Sequence, residues 1–376
     1  MGKLAGISRR GAVCAAFMVG LGLAASAMTA RADGDHVRVA MNLPLTGPIA
    51  VVTIPYRDGL LMGFDDAAKA YNVPRDAFVT DIQDNAGEAK QAISVLQKQM
   101  LEPFDVYISG VSPQTRAVAP EIDKKKVPHI LYAFDTAFVQ GDPNRVRILP
   151  NFRLQQPLYV NYAKAKGAKR VAAIHLNIAS QQEFYGQFLV PELKKDGIEV
   201  MREAYDIGTK DYSTLGLKIA EFKPDLVIVD GFSFNLLPMI AALRTLDLVH
   251  DGRVLVGMDF IDLLYNKTPA DQIKGVVFAS PTVELPEGKA RAADWIEKFK
   301  ARFKEEPSWP GAYGYDTARV IAAAFAKNHK VTTASIHDVM PFDGLVGKIN
   351  LDKDNDIDST MALGLVEDSG AVKTLK

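Results

Sequence analysis

The stretch Asp105 to Thr115, DVYISGVSPQT, reads as a buried strand that ends in a small, polar turn and runs straight into a helix. Val106, Tyr107 and Ile108 are apolar and β-prone, and Ser109, Gly110, Ser112 and Pro113 break the run, so helix becomes plausible from Gln114. In an open parallel sheet such a junction lies at the carboxyl edge of a strand. There, free helix N–H groups and a serine or threonine hydroxyl can hold an anion such as a carboxylate. Ser112 and Thr115 are therefore candidate ligand residues; the alternative is that they only cap the helix.

The same strand-loop-helix unit repeats on either side. Upstream, His36 to Met41 alternates as a strand and ends in the turn-rich Asn42 to Pro48, followed by a predicted helix over Asp58 to Ala70. Phe78 to Ile82 reads as a strand and Glu88 to Leu101 as a helix with Ala92, Val95, Leu96 and Met100 on one face. Downstream, strands are expected at His129 to Tyr132, Arg170 to Leu176, Glu199 to Tyr205, Asp225 to Asp230, Val254 to Met258 and Val276 to Ala279. Helices are expected at about Gln156 to Lys166, Phe184 to Lys195, Leu236 to Leu246, Ala290 to Phe303 and Thr317 to Ala326. The region Phe342 to Val366 reads as closing strands with turns at Gly344 and at Asp352 to Asp356. DLVIVD is apolar on both faces, as a central parallel strand should be. No Ser-Gly linker divides the chain, so two βα lobes joined by crossing segments fit better than two tethered domains.

The first 32 residues differ from the rest. Lys3, Arg9 and Arg10 precede an apolar run from Ala12 to Ala27, and Ala30-Arg31-Ala32 offers a small-x-small cleavage site, which together predict a secretory signal peptide over 1–32. Ser8-Arg9-Arg10 partly resembles a twin-arginine signal, so either that route or general export is open. The one cysteine, Cys14, falls inside this leader, leaving no thiol for catalysis, disulfides or metal. Removing Lys3, Arg9, Arg10 and Arg31 leaves 40 basic against 45 acidic residues, a net charge of −5. That mild acidity, with no basic tract, gives nucleic acid no electrostatic reason to bind. At 376 residues, 48% hydrophobic and 24% charged, the chain can bury a two-lobe core.

Catalytic and cofactor signatures are missing: there is no Walker loop, no G-x-G-x-x-G after a strand, no H-E-x-x-H and no G-x-S-x-G. The six histidines are scattered, and His129 and His175, inside predicted strands, read as core residues. Asp352, Asp354 and Asp356 mimic the start of a calcium loop, but Ile357 stands where glycine is required and Leu363 where the closing glutamate belongs. That run reads as a solvated turn. No cofactor and no metal are expected.

Six segments in this order carry a resemblance: VRVAMNLPLTGPIA (Val37 to Ala50), DIQDNAGEAKQAI (Asp81 to Ile93), ISGVSPQTRAVAPEIDKKKVPHI (Ile108 to Ile130), Tyr185-Gly186, DYSTLGLKI (Asp211 to Ile219) and GAYGYDTARVI (Gly311 to Ile321). The chain from His36 onward resembles the periplasmic solute-binding proteins of ABC transporters, in the branched-chain amino acid (Leu/Ile/Val) class. The resemblance implies an α/β fold of two doubly wound Rossmann-like lobes with parallel sheets, joined by three crossing hinge segments. Lobe one would span 36–152 and 283–355, and lobe two 153–282 and 356–376. It further implies a non-enzymatic, monomeric clamp that closes on a small ligand in the periplasm and presents it to a membrane permease.

By the same resemblance Ser112 receives the ligand carboxylate, Ala133 and Asp135 complete the head-group site, Tyr185 and Phe232 form aromatic walls, Asp259 meets the α-ammonium, and Tyr313 supplies the wall from the returning segment. Asp135 stands where the family has serine or threonine, and Asp259 where it has glutamate. A carboxylate at 135 would favour a cationic or strongly donating ligand. Tyr56 and Arg57 lie near the expected cleft, where Arg57 could pair with Asp135 or with a ligand carboxylate. The aromatic supply would also suit aromatic carboxylates, amides or urea. Two rivals are a secreted enzyme using Asp135 and Asp259 as acid and base, and a sensory ligand-binding module of the same fold.

Overall fold

A computed structural model describes residues 36–135, 137–358 and 361–375. The expected signal peptide lies outside the described residues. Strands β1 (Val37–Leu43), β2 (Phe78–Asp84), β3 (Val106–Gly110), β4 (His129–Tyr132) and β5 (Arg145–Val146) form one parallel sheet in the order β2-β1-β3-β4-β5. Strands β6 (Arg170–Leu176), β7 (Glu199–Tyr205), β8 (Leu226–Val229), β9 (Val254–Val256) and β10 (Val277–Pro281) repeat that winding as β7-β6-β8-β9-β10. After the small hairpin β11 (Phe342–Gly344) and β12 (Gly347–Ile349), β13 (Met361–Val366) and β14 (Val372–Leu375) extend the second sheet with antiparallel pairs. β3 and β8 are buried along their whole length, which explains their unbroken apolar runs.

Each sheet reverses its strand order beside its first strand. In such sheets ligands sit outside the carboxyl ends of the strands at that reversal. The loops after β3 and β4 in the first lobe, and after β6, β8 and β9 in the second, are therefore the positions the topology reserves for a site.

Several helices are longer than the sequence pattern predicts. One runs Ala50–Ala70 rather than from Asp58, with Pro55 in its second turn, and another runs Trp309–Asn328 rather than from Thr317, with Pro310 in its first turn. Both extensions are explained by packing. A Cβ on Gly59 would lie 1.9 Å from the Gly311 carbonyl oxygen, and one on Gly314 would lie 2.0 Å from that of Tyr56. Glycine, normally unfavourable inside a helix, is what lets these two helices touch backbone to backbone. The helix after β3 begins at Ser112, two residues before its expected start, and a helix Ser213–Phe222 and the strand β14 were not singled out by periodicity.

The chain passes between the two sheets after β5, after β10 and before β13. The first and third passages are clasped by a buried ion pair: Arg147 donates through Nε and Nη2 to Asp356 at 2.8 and 2.6 Å, while Asn151 and Arg153 also reach that carboxylate. Asp356 is 1% exposed, which corrects its reading as part of a solvated turn. An isolated carboxylate would not stay charged there, and the guanidinium supplies the compensation.

Candidate functional site

The first wall of the cleft is built from the ends of β3 and β4. Ser112 opens the helix Ser112–Asp123, whose N-cap residue is Val111 with no side-chain cap, so neither Ser112 nor Thr115 acts as the cap. The Ser112 hydroxyl instead accepts the backbone N–H of Phe134 at 3.1 Å, tying the two loops together. A hydroxyl that accepts one bond still has its own hydrogen to donate. Thr115 is fully buried, and its oxygen accepts from Ser109, whose Oγ lies 2.7 Å from Nε2 of His129. Burial holds His129 down to about 3, so it stays neutral. Thr115 is thus engaged inside the first lobe, with residues of β3 and β4.

Ala133 is buried, and its carbonyl accepts from Arg147 at 3.0 Å; the carbonyl of Asp135 accepts from the same Nη1 at 2.6 Å. The guanidinium that clasps the hinge therefore also fixes the loop after β4. Asp135 is 4% exposed, and one oxygen pairs with Arg116 at 2.7 Å while the other is buried without a partner. Arg57 does not take part. It turns to Asp58, its immediate neighbour, at 2.7 Å. The expected Arg57–Asp135 pair is replaced by Arg116, which lies one turn into the helix after β3.

The second wall carries negative charge. Asp230, at the end of β8, accepts the hydroxyls of Tyr159 at 2.8 Å and Tyr185 at 2.7 Å, while its carbonyl accepts that of Tyr205 at 2.9 Å. Burial outweighs those two hydroxyl bonds and pushes its carboxyl up to about 6. Asp259, after β9, is half-buried, and its carboxylate makes no hydrogen bond among the described residues. Burial, reinforced by repulsion from Asp262 and Asp230, holds it well above the usual carboxylate range. Asp262 is also raised by burial, partly offset by a hydrogen bond with Ser233. Tyr185 falls in a π-helical turn, Phe184–Leu189. Such turns recur where a helix must aim a side chain.

Tyr132, at the end of β4, faces this cluster from the first lobe. It is 1% exposed, its hydroxyl has no partner, and burial together with the charges of Tyr56, Asp259 and Asp262 raises its pKa well above the ordinary value. Tyr56 packs edge-on against it at 4.9 Å. From Tyr132 a line of rings runs through Phe134 (5.9 Å), Phe152 (6.1 Å) and Phe184 (5.6 Å) to Tyr185 (5.4 Å), linking the lobes. Tyr313 is buried beside Trp309, whose ring in turn contacts Phe134. Phe232 is half-buried and stacks on the exposed Phe234, which places it at the rim rather than deep in the wall.

Sequence reasoning missed Tyr132, Asp230, Asp262 and Tyr159. Asp230 and Tyr132 each end a strand, so a scan of strand ends would have found them. Asp262 and Tyr159 lie on helices and give no comparable signal. What the arrangement can do is bind: a wall of hydroxyls and aromatic rings, with the Tyr132 hydroxyl still unpaired, faces a half-buried carboxylate that has no hydrogen bond among the described residues. Among the described residues no group of three or more His, Cys, Asp or Glu is placed to hold a metal ion.

A family model described as periplasmic binding protein matches residues 36–371. The chain is 24% identical over 281 residues to the Leu/Ile/Val-binding protein BraC3 of Rhizobium johnstonii, covering 68% of this chain and 71% of that protein. In fold it is similar to a leucine binding protein LivK from Thermotoga maritima, with a TM-score of 0.75 and 21% identity over 90% of this chain and 98% of that one. It is also similar in fold to a solute binding protein of an ABC transporter from Rhodopseudomonas palustris in complex with 3,4-dihydroxybenzoic acid, with a TM-score of 0.73 and 21% identity over 89% and 93% of the two chains.

Proposed function

We propose that this chain, which belongs to the periplasmic binding protein family, closes its two lobes over a small amine-bearing carboxylate and delivers it to the membrane permease of an ABC importer. The ligand class is an amino acid, branched-chain or related. The family binds solutes for ABC transporters and is not enzymatic, which disposes of Asp135 and Asp259 as an acid and base pair. Asp135 is in any case matched by Arg116. We assign residues 36–152 and 283–355 to one lobe and 153–282 and 356–376 to the other. The packing of Trp309–Asn328 on Ala50–Ala70 supports that division.

One observation carries the ligand class: Asp259 is a half-buried carboxylate without a hydrogen bond, set among Asp262 and Asp230 and opposite the unpaired Tyr132 hydroxyl. A buried charge needs a partner, and an ammonium supplies it while donating to the carboxylate. Ser112, still able to donate, and the start of its helix suit the ligand's own carboxylate. A ligand that touches both walls favours closure by its differential affinity for the closed state.

A second reading, an aromatic carboxylate or amide, is favoured by the line of rings through the cleft. Thermal melting against amino acids, aromatic and aliphatic carboxylates, amides and urea separates the two. A saturated tight site raises stability by roughly 3 to 4 kcal/mol at 100 to 1,000 times the dissociation constant. Stabilisation by amino acids alone is expected. Stabilisation by amine-free acids or amides alone would overturn the ammonium assignment. The screen is run again after unfolding and refolding, which strips any ligand retained through purification.

A further inference from the structure

Tyr185 is held from behind. Its ring lies against the buried imidazole of His175, near the end of β6, at 4.5 Å and tilted by 30°. His175 is gripped in turn by Arg202, which stands on the edge strand β7: Arg202 Nε donates to His175 Nε2 at 2.9 Å, and His175 Nδ1 lies 2.8 Å from the Leu176 carbonyl. A guanidinium can only donate, so Nε2 accepts and Nδ1 carries the proton given to Leu176. Burial, helped by the charge of Arg202, lowers His175 to about 4 and keeps that acceptor neutral. The same guanidinium reaches the helical segment that carries Tyr185. Nη2 donates to the Gln182 carbonyl at 3.1 Å and to the Gln182 side-chain oxygen, and a Cβ on Gly186 would lie 2.9 Å from Nη1.

Arg202 therefore touches the chain before Tyr185, at Gln182, lies against it just after, at Gly186, and holds the ring that backs it. Tyr185 sits in the π-helical turn Phe184–Leu189, and turns of that kind are rare. A planar fork that bonds in several fixed directions suits such a brace, where a lysine ammonium is a single point charge. Asp230, which accepts the Tyr185 hydroxyl, lies beside the loop after β9: a Cβ on Gly257, two residues before Asp259, would be 1.8 Å from its carboxylate. We propose that Arg202 is a positioning residue for ligand binding, which braces the π-helical turn so that the Tyr185 hydroxyl stays on Asp230 and the second wall of the cleft keeps its form. The Tyr185 bond favours the ionised form of Asp230, and an ionised wall suits an ammonium. The link to the ligand rests on the amine-bearing solute proposed above; the hold on Tyr185 does not.

The test reads Asp230, which Tyr159, Tyr185, Tyr205 and Asp259 face and which titrates near 6. The ligand-free full chain, carrying carbon-13 in its aspartate carboxyls, is titrated by NMR, and the Asp230 resonance is identified by its loss in Asp230→Asn. Arg202→Met should move the Asp230 midpoint to higher pH, as Tyr185→Phe should, and Arg202→Met should add nothing once Tyr185→Phe is present. Arg202→Lys keeps the charge but not the fork that reaches both His175 and Gln182, and should move the midpoint in the same direction. Calorimetry with leucine should show both Arg202 variants binding about tenfold more weakly than the parent, the loss of one hydrogen bond to a charged group. The proposal is overturned if the midpoint stays in place in Arg202→Met. It is equally overturned if Arg202→Met shifts the midpoint as far without the Tyr185 hydroxyl as with it, or if Arg202→Lys behaves as the parent, since each would make Arg202 a distant charge and no brace. Leucine bound equally well by a variant whose Asp230 has moved would break the link to the ligand. Leucine not bound by the parent would count against the amino acid reading of the cleft, while the Asp230 titration would still decide the role of Arg202.

Discussion

The two walls of the cleft are made by the same winding of strands and yet are opposite in electrostatic character. On the first, Ser112 is bonded to Phe134, Thr115 to Ser109, Asp135 to Arg116, and the carbonyls of Ala133 and Asp135 to Arg147. On the second, burial raises three aspartates, Asp262 and Asp230 together push Asp259 up further, and the Asp259 carboxylate has no hydrogen bond among the described residues. A wall whose groups are mostly bonded to one another, with only the Tyr132 hydroxyl and one Asp135 oxygen left over, is a rigid template. A wall of crowded carboxylates is unstable by itself and is relieved by a cation. Substitutions on the first should therefore register mainly in folding stability, and those on the second in ligand affinity, with stability moving the other way.

The largest effect is expected where the first wall is anchored. Asp356→Ala removes the carboxylate that pairs with the buried Arg147 guanidinium, which should cost about 3 to 5 kcal/mol in denaturant unfolding. A loss under about 1 kcal/mol would mean that the clasp does not hold the wall, since such values are typical of exposed pairs. Next is Asp259→Asn. Calorimetry should show an amino acid ligand weakened by roughly 2 to 5 kcal/mol, while the ligand-free protein melts higher because a desolvated carboxyl crowded by Asp262 and Asp230 is replaced by a neutral amide. An equal loss for an amine-free acid, or a lower melting temperature, would break the contrast between the walls.

The pH dependence sharpens the same contrast. Asp230 titrates near 6 in the folded protein against 3.8 for an ordinary carboxyl, so folding favours its protonated form. That contribution is fully present below pH 4 and is lost as the pH rises through about 6, on the order of 2 to 3 kcal/mol across the window. Ligand-free protein should lose melting temperature from pH 4 to 7, and Asp230→Asn should flatten the curve. Binding of an amine should run in the opposite sense, strengthening as the cluster loses its protons. The smallest effects separate two neighbours on the first wall. Thr115→Val should cost about 1 kcal/mol of stability and leave affinity unchanged, whereas Ser112→Ala should cost about 1 kcal/mol in each. If Thr115→Val weakens the ligand as much as Ser112→Ala, Thr115 reaches the cleft after all.

The alternation of apolar runs and polar turns was enough to read the two-lobe α/β fold, because burial on both faces leaves strands such as DLVIVD unmistakable. The turn after β3 was legible as a candidate position because it ends a buried strand, whereas roles for Ala133, Asp135 and Asp259 came from the family resemblance and not from the pattern of strands. What periodicity could not show was pairing across long separations. Nothing near Asp135 marks Arg116 as its partner over Arg57, and nothing near Asp356 marks it as buried. The early starts of the helices at Ala50 and Trp309 were hidden because proline and glycine argue locally against helix, and only their mutual packing reverses that.

That glycine seam also sets an order of events. The face presented by Gly59 and Gly63 is complementary to Gly311, Gly314 and Tyr315, from the far part of the chain. Closing so long a loop is entropically costly and slow, and the first lobe cannot be completed until synthesis has passed Trp309. The parallel strands β6 to β10 of the second sheet are continuous in the chain, and only its antiparallel edge, β13 and β14, comes from the far end. The helix made early thus waits for a partner made late, and until then the groove at Gly59 and Gly63 has nothing to fill it.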